Sequence, residues 1–383
     1  MIDRRELLKR GGIGAAGVML APQIALAQAP TDRRFIFVIL RGAADGLELV
    51  APTGDPSFAS VRGSFAGHSE GGTRLNDFFT LHPSFTEIGN LYGQRQALFA
   101  HAVASAYRRR SHFDGQNVLE TAGPQPYRLN DGWMNRLIAM LSGSQAEAIA
   151  LSSTMPMVLR GSAEASSYAP SRLPDPQPGL LRRVTMMYED DEMLHADWAQ
   201  ALETEEMADE IMDAGRGQAA LGELAAGFLS DPDGARIAAI ELDGWDTHAN
   251  QGGRLRRGFS ALDSMIGAIR SGLGSIWDDT LIIVATEFGR TVAPNGTAGT
   301  DHGTGSAAMM LGGAVRGGRV VADWPGLRTS DLYEGRDLRP TMSIDQLFTA
   351  ALSEHFSLDP VEVRRSVFPA ASGTTIGGRL IQS

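Results

Sequence analysis

The sequence contains no cysteine. Disulfides, thiolate metal sites and cysteine nucleophiles are therefore excluded, whatever compartment the chain works in. Lys9 is the only lysine. A chain trimmed behind it has no Walker-type phosphate lysine, no Schiff-base lysine and no lysine general base. Its cations are then all arginine or histidine. Long apolar runs are also missing beyond the N-terminal segment, so no later stretch is predicted to span a bilayer. Positive charge is in deficit as well. The net charge is −11 at pH 7, and an acidic surface argues against nucleic acid or an anionic membrane as partner.

What is present begins with a twin-arginine pair, Arg4-Arg5, followed by Leu7-Leu8 and Lys9. A Gly/Ala-rich stretch runs from Gly11 to Ala27, too short and too weakly apolar for a stable membrane span. Ala25-Leu26-Ala27 is a small-x-small cleavage site, which puts the first mature residue at Gln28. Charge, apolar run and cleavage site in that order predict export through the twin-arginine translocase to the periplasm or beyond. An ordinary N-terminal helix or membrane anchor is the competing reading. Residues 1–27 carry Arg4, Arg5, Lys9 and Arg10 against Asp3 and Glu6, so the mature chain is about two charges more negative than the whole.

Strands are predicted from short apolar runs bounded by turn residues. They fall at Phe35 to Leu40, Ala97 to Val103, Ala235 to Leu242, Leu281 to Ala285 and Ala307 to Leu311. Between the third and fourth lies a helical pattern, Leu255 to Ile276, with Phe259, Leu262, Met265, Ile266 and Ile269 on one face. Strand, helix, strand in that order implies a parallel βαβ crossover. A further helix is predicted from Ser343 to His355. Residues 123–233 differ in character, with Pro-rich turns near Pro170 to Pro178 and an acidic helical portion from Glu192 to Leu229. The expected fold is an α/β domain, a mostly parallel sheet flanked by helices, with 123–233 as a helical cap insertion.

In open parallel sheets ligands bind beyond the carboxyl ends of the strands. Polar residues here follow the predicted strands. They are Asp45 after the first, His101 and then Arg108-Arg109-Arg110-Ser111-His112 after the second, and Asp243, Asp246 and His248 after the third. Glu287 and Arg290 follow the fourth, with Asp301 and His302 beyond. Carboxylate and imidazole are what a divalent metal needs when cysteine is absent. Several carboxylates at one edge would repel unless a cation or protons neutralised them. Each piece also has a plain structural role open to it. Asp45-Gly46 fits a turn, Asp243 to His248 fits an Asx turn and helix cap, and Glu287 could pair with Arg290. The arginine run next to Ser111 fits a solvated turn or an anion clamp. His82 reads as a structural hydrogen-bonder. His68, His195 and His355 read as surface residues.

Five phrases together resemble one family. They are Phe37-Val38-Ile39-Leu40-Arg41-Gly42-Ala43-Ala44-Asp45-Gly46-Leu47, Tyr107-Arg108-Arg109-Arg110-Ser111-His112-Phe113-Asp114, Gly244-Trp245-Asp246-Thr247-His248, Thr286-Glu287-Phe288-Gly289-Arg290-Thr291 and Gly299-Thr300-Asp301-His302-Gly303. The family is the bacterial secreted one known as domain of unknown function 1501, itself similar to the alkaline phosphatase and sulfatase superfamily. The resemblance implies an alkaline phosphatase-like core and a divalent metal, with zinc, calcium, manganese and magnesium all open. It implies Asp45 as a metal aspartate after the first strand and Ser111 as a nucleophile opening a helix. It also implies Asp243 or Asp246 with His248 as a ligand pair, and Glu287 and His302 as further ligands. Phe288 stands where the superfamily has a metal histidine, which leaves a vacancy or moves Asp301 into it. The sulfatase motif that yields formylglycine is absent, because His112-Phe113-Asp114 follows Ser111.

Two functions follow. One is a metal-dependent hydrolase or transferase of phosphate or sulfate esters, in which Ser111 attacks and Arg109 or Arg290 holds the anionic oxygens. The other is a non-catalytic secreted protein on the same scaffold that binds a metal, an anion or a partner.

Overall fold

The structure is a computed structural model that describes residues 32–141, 148–169, 183–187, 198, 217–232, 234–371 and 378–382. The expected export signal and cleavage site, the turns at 170–178, His195 and most of the acidic stretch before residue 217 lie outside the described residues.

In chain order the strands are β1 (Arg34–Leu40), β2 (Val50–Ala51), β3 (Thr73–Arg74), β4 (Thr80–Leu81), β5 (Ala97–Ala104), β6 (Ala148–Leu151), β7 (Ser166–Tyr168), β8 (Ile237–Leu242), β9 (Thr280–Ala285), β10 (Ser306–Leu311), β11 (Arg319–Val321) and β12 (Met342–Ser343). The α-helices that matter below are α1 (Gly46–Leu49), α2 (Thr86–Gly93), α3 (His112–Thr121), α4 (Trp133–Leu141), α5 (Gln218–Ser230), α6 (Gln251–Leu273) and α7 (Ile344–Phe356).

Nine strands form one sheet in the order β11-β5-β10-β9-β1-β8-β6-β7, with β12 paired to β5. Strands β7, β6, β8, β1 and β9 run parallel to one another. Strand β10 runs antiparallel to both β9 and β5. The fold is thus the mostly parallel α/β sheet expected. The reversal at β10 is invisible in an apolar run, which carries no direction. Strands β8 and β9 flank β1 on either side, so the crossover through α6 passes over one strand. Residues 123–233 also differ from expectation. They supply β6 and β7 to the main sheet, and Trp133 of α4 is fully buried in its core.

Every residue of β1 is buried, as a strand covered on both faces requires. Its side chains alternate between two cores. Ile36, Val38 and Leu40 face the apolar stripe of α6, where Phe259, Leu262, Met265, Ile266 and Ile269 are all buried. Phe35, Phe37 and Ile39 face Trp133 and the α7 residues Leu347 and Phe348. Burying one such side chain contributes about 1.5–3 kcal/mol. This two-sided packing fixes the strand ends, and with them the loops that carry the polar residues. Among the described residues, no helix is long and apolar enough to cross a membrane.

Several histidines belong to this scaffold. His82 is buried against Phe259 and accepts from the Ser84 amide at 3.1 Å. Burial lowers its pKa to about 4, in keeping with a structural role. His101, expected beyond the end of the second strand, lies inside β5 instead, fully buried, with Nε2 2.9 Å from the Val50 carbonyl. His355 does not lie at the surface. It is fully buried in the last turn of α7, with Nε2 2.9 Å from the Arg34 carbonyl, because that turn packs against the start of β1. His68 is half-buried and bonded to Glu48 at 2.8 Å.

Candidate metal centre

Two loops at the carboxyl edge of the sheet and the start of α3 bring four side chains together. His112 is the first residue of α3. Asp246 and His248 follow β8, and His302 precedes β10. His302 is held across from Arg290 by an antiparallel bridge, in which the Gly303 amide donates to the Gly289 carbonyl at 2.7 Å and the Thr291 amide to the Asp301 carbonyl at 2.8 Å. Gly303 allows the two loops to touch. A Cβ there would overlap the Arg290 carbonyl carbon.

The His302 Nε2 lies 2.9 Å from His112 Nε2 and 2.9 Å from His248 Nε2. Asp246 Oδ1 sits among them, 3.3 Å from His302 Nε2, 3.1 Å from His248 Nε2 and 3.5 Å from His112 Nε2. The ligand atoms of His112, Asp246 and His302 all lie within 4.8 Å of one another.

The outer nitrogens explain why this is more than a cluster of rings. His112 Nδ1 lies 2.8 Å from Glu287 Oε1, His248 Nδ1 3.1 Å from Asp301 Oδ1, and His302 Nδ1 2.9 Å from the Arg110 carbonyl. A carbonyl or an ionised carboxylate only accepts, so each Nδ1 carries the proton. Each Nε2 then presents a lone pair. Lone pairs facing each other at 2.9 Å repel unless a positive centre, a proton or a metal ion, lies between them. An imidazole backed at Nδ1 by a carboxylate or carbonyl is the usual arrangement of a histidine metal ligand. The donor set fits a divalent ion.

Electrostatics agree. His112 has its pKa raised, chiefly by the hydrogen bond to Glu287. His302 has its pKa lowered by burial and by the charge of His112. Burial pushes Glu287 upward, but bonds from His112, the Gly42 amide and Thr286 outweigh it and hold the carboxylate ionised. Burial likewise acts against the Asp246 carboxylate and is outweighed by Arg290, whose Nη1 donates to Oδ1 at 2.8 Å. Phe288 is buried and stacks on His112 with centroids 5.1 Å apart. It therefore braces the His112 ring rather than leaving a hole. The side chains of His248 and Asp246 remain 46% and 45% exposed, so the centre opens to solvent.

Of the residues expected from sequence, Asp246, His248 and His302 meet here. Glu287 and Asp301 stand behind His112 and His248 instead of facing the shared point. Asp45 is placed elsewhere. It caps α1 through the Leu47 amide at 3.0 Å, and its other oxygen accepts from Arg62 at 2.8 Å and Gln251 at 2.7 Å. Asp243 is exposed and takes no part in the cluster's contacts. Arg290 is buried and bound to Asp246 and Thr300, so it positions the Asp246 carboxylate instead of facing the cleft. Ser111 is the N-cap residue of α3, beside His112, and makes no side-chain capping bond. Arg108 folds back on the Ser105 and Tyr107 carbonyls, and Arg110 pairs with Glu334 and Asp337. Arg109 is exposed and has no bonded partner among the described residues. Sequence reasoning missed His112. The signal was its place next to Ser111 in the polar segment that follows β5.

A family model described as Protein of unknown function (DUF1501) matches residues 32–368. The chain belongs to this family. No curated protein matches the sequence of this DUF1501 member. Similar solved structures include the C-terminal periplasmic domain of EptC from Escherichia coli, 10% identical, with a TM-score of 0.43 over 91% of this chain and 89% of that one. The lipoteichoic acid synthase LtaP from Listeria monocytogenes is 10% identical, with a TM-score of 0.38 over 78% and 68%. The alkaline phosphatase of the Antarctic bacterium TAB5 is 14% identical, with a TM-score of 0.37 over 77% and 95%. At such scores the chemistry of this DUF1501 centre rests on its own residues.

Proposed function

We propose that this protein is an exported, metal-dependent hydrolase or transferase of phosphate or sulfate esters. The observation that carries the reading is the convergence of three Nε2 atoms and Asp246 Oδ1, each imidazole backed at Nδ1 by an acceptor. His112, His248, His302 and Asp246 would hold the ion. A set rich in imidazole suits zinc better than calcium or magnesium, which prefer all-oxygen ligands. When bound, such an ion supplies Lewis-acid polarisation and lowers the pKa of a hydroxyl or water beside it.

The chain's own residues do the rest. Arg290 fixes Asp246 and offsets part of its charge. Glu287 keeps the His112 proton on Nδ1. Ser111 stands at the start of α3, a ten-residue helix whose first amides receive no side-chain cap from it, and such amides favour an anionic group. Arg109, exposed two residues away, can pair with the same anion. Ser111 Oγ is the nucleophile in this reading. The twin-arginine pair Arg4-Arg5 ahead of Ala25-Leu26-Ala27 supports export to the periplasm as one α/β domain beginning at Gln28.

Hydrolysis of p-nitrophenyl phosphate and p-nitrophenyl sulfate by the zinc-loaded protein tests the reading. Ser111→Ala should lower turnover at least about a hundredfold while retaining the metal. Metal binding without turnover of either ester would favour the non-catalytic binding role.

A further inference from the structure

The opposite edge of the sheet holds a second feature. The metal centre lies past the carboxyl ends of the parallel strands. Arg95 lies just before β5, and Arg316 to Arg319 lead into β11, which runs parallel to β5. A cavity of about 550 Å³ opens there, lined by Arg95, Arg316, Arg319 and Arg379. The backbone that gathers them is closely tied. The Arg316 amide donates to the Leu380 carbonyl, Gly317 to Arg95 and Gly318 to Ala97, each at 2.8 Å. Gly317 has to be glycine for this, because a Cβ would overlap the Ala97 backbone.

No carboxylate lines this cavity. None of the four guanidinium groups takes part in an ion pair among the described residues. Arg319 donates one Nη2 bond to the Arg379 carbonyl, while its Nε is buried with no partner. Four like charges around one cavity repel, and in a chain of net charge −11 they stand out from their surroundings. A bound counter-anion would relieve the repulsion.

We propose that this cavity is a binding site for a phosphate or sulfate group, separate from the metal centre. Guanidinium forks match tetrahedral oxyanions by paired N–H···O bonds, and the volume accommodates a small ester as well as the free ion. The oxyanion can belong to a soluble ester or to a lipid headgroup.

Titration calorimetry with inorganic phosphate tests the site, run with and without EDTA so that the metal centre is separated from it. The wild-type protein should bind phosphate in both conditions. The double variant Arg316→Gln/Arg319→Gln should bind at least tenfold more weakly with its metal content unchanged. The variant Arg95→Gln/Arg379→Gln removes two exposed side chains and should weaken binding while leaving the fold intact. Co-sedimentation with phosphatidylglycerol vesicles, competed away by inorganic phosphate, would assign the oxyanion to a lipid headgroup. Phosphate binding without vesicle binding would assign it to a soluble ester. Absence of both, or phosphate affinity equal in the wild type and both variants, overturns the site.

Discussion

His112 and Glu287 are joined by a 2.8 Å hydrogen bond between imidazole Nδ1 and carboxylate Oε1. The same oxygen also accepts from the Gly42 amide at 2.8 Å, which ties the end of β1 to the start of α3 through one buried carboxylate. This bond turns the His112 lone pair toward His302 and Asp246.

Glu287→Gln should therefore weaken metal binding without removing a ligand. The amide places an N–H₂ among donors and no longer holds the ring by a charged bond. Loss of such a partner lowers metal affinity about 10–100-fold. Competition against a zinc-binding dye reads the change. Affinity equal to wild type would mean that Glu287 does not orient His112.

Gly303→Ala tests the loop geometry. The added methyl would overlap the Arg290 carbonyl, so the Arg290 and His302 loops must part. Metal affinity should fall, and stability should drop by about 1–3 kcal/mol, as for other overpacked sites. Denaturant unfolding in EDTA separates the two effects. An unchanged midpoint and unchanged metal affinity would contradict the close packing of these loops.

A pH dependence arises away from the centre. Asp345 in α7 is buried, and burial pushes its carboxyl up to about 7. Below about pH 4 the folded and unfolded states both keep this proton, and the stability associated with it is fully present. As pH rises toward about 7 the unfolded chain releases the proton and the folded one retains it. Stability then falls, by on the order of 2–4 kcal/mol in all. Asp345→Asn should flatten this slope between pH 4 and 7 and be the more stable protein at pH 8. Parallel curves for the two proteins would contradict a protonated buried Asp345.

The main elements were legible in the sequence because burial on both faces leaves unbroken apolar runs, as in Phe35 to Leu40, and because α6 shows its stripe from Phe259 to Ile269. Asp246, His248 and His302 were legible for a related reason, since each lies in a polar loop next to a strand end. The difference between a side chain that faces the shared point and the group behind it was not. Glu287 and Asp301 look in sequence like Asp246, and only the side-chain directions separate them. His112 was overshadowed by Ser111, whose N-cap position carries a clearer local signal. Asp45 fitted a metal aspartate until Arg62, seventeen residues on and fully buried, proved to be its cation.

Export is tested independently of the fold. Arg4→Lys with Arg5→Lys should leave unprocessed precursor in the cytoplasm, because the twin-arginine receptor reads both guanidinium groups. Normal processing of that variant in cell fractions would remove the translocase from the account.

The metal centre itself is tested most directly by metal content. Protein incubated with excess zinc, desalted and analysed by inductively coupled plasma mass spectrometry should retain about one ion per chain. His302→Ala should retain none while keeping the wild-type circular dichroism spectrum, and His82→Ala should keep the metal but unfold earlier. Zinc at background in the wild type, or equal zinc in wild type and His302→Ala, would contradict a centre built from His112, Asp246, His248 and His302.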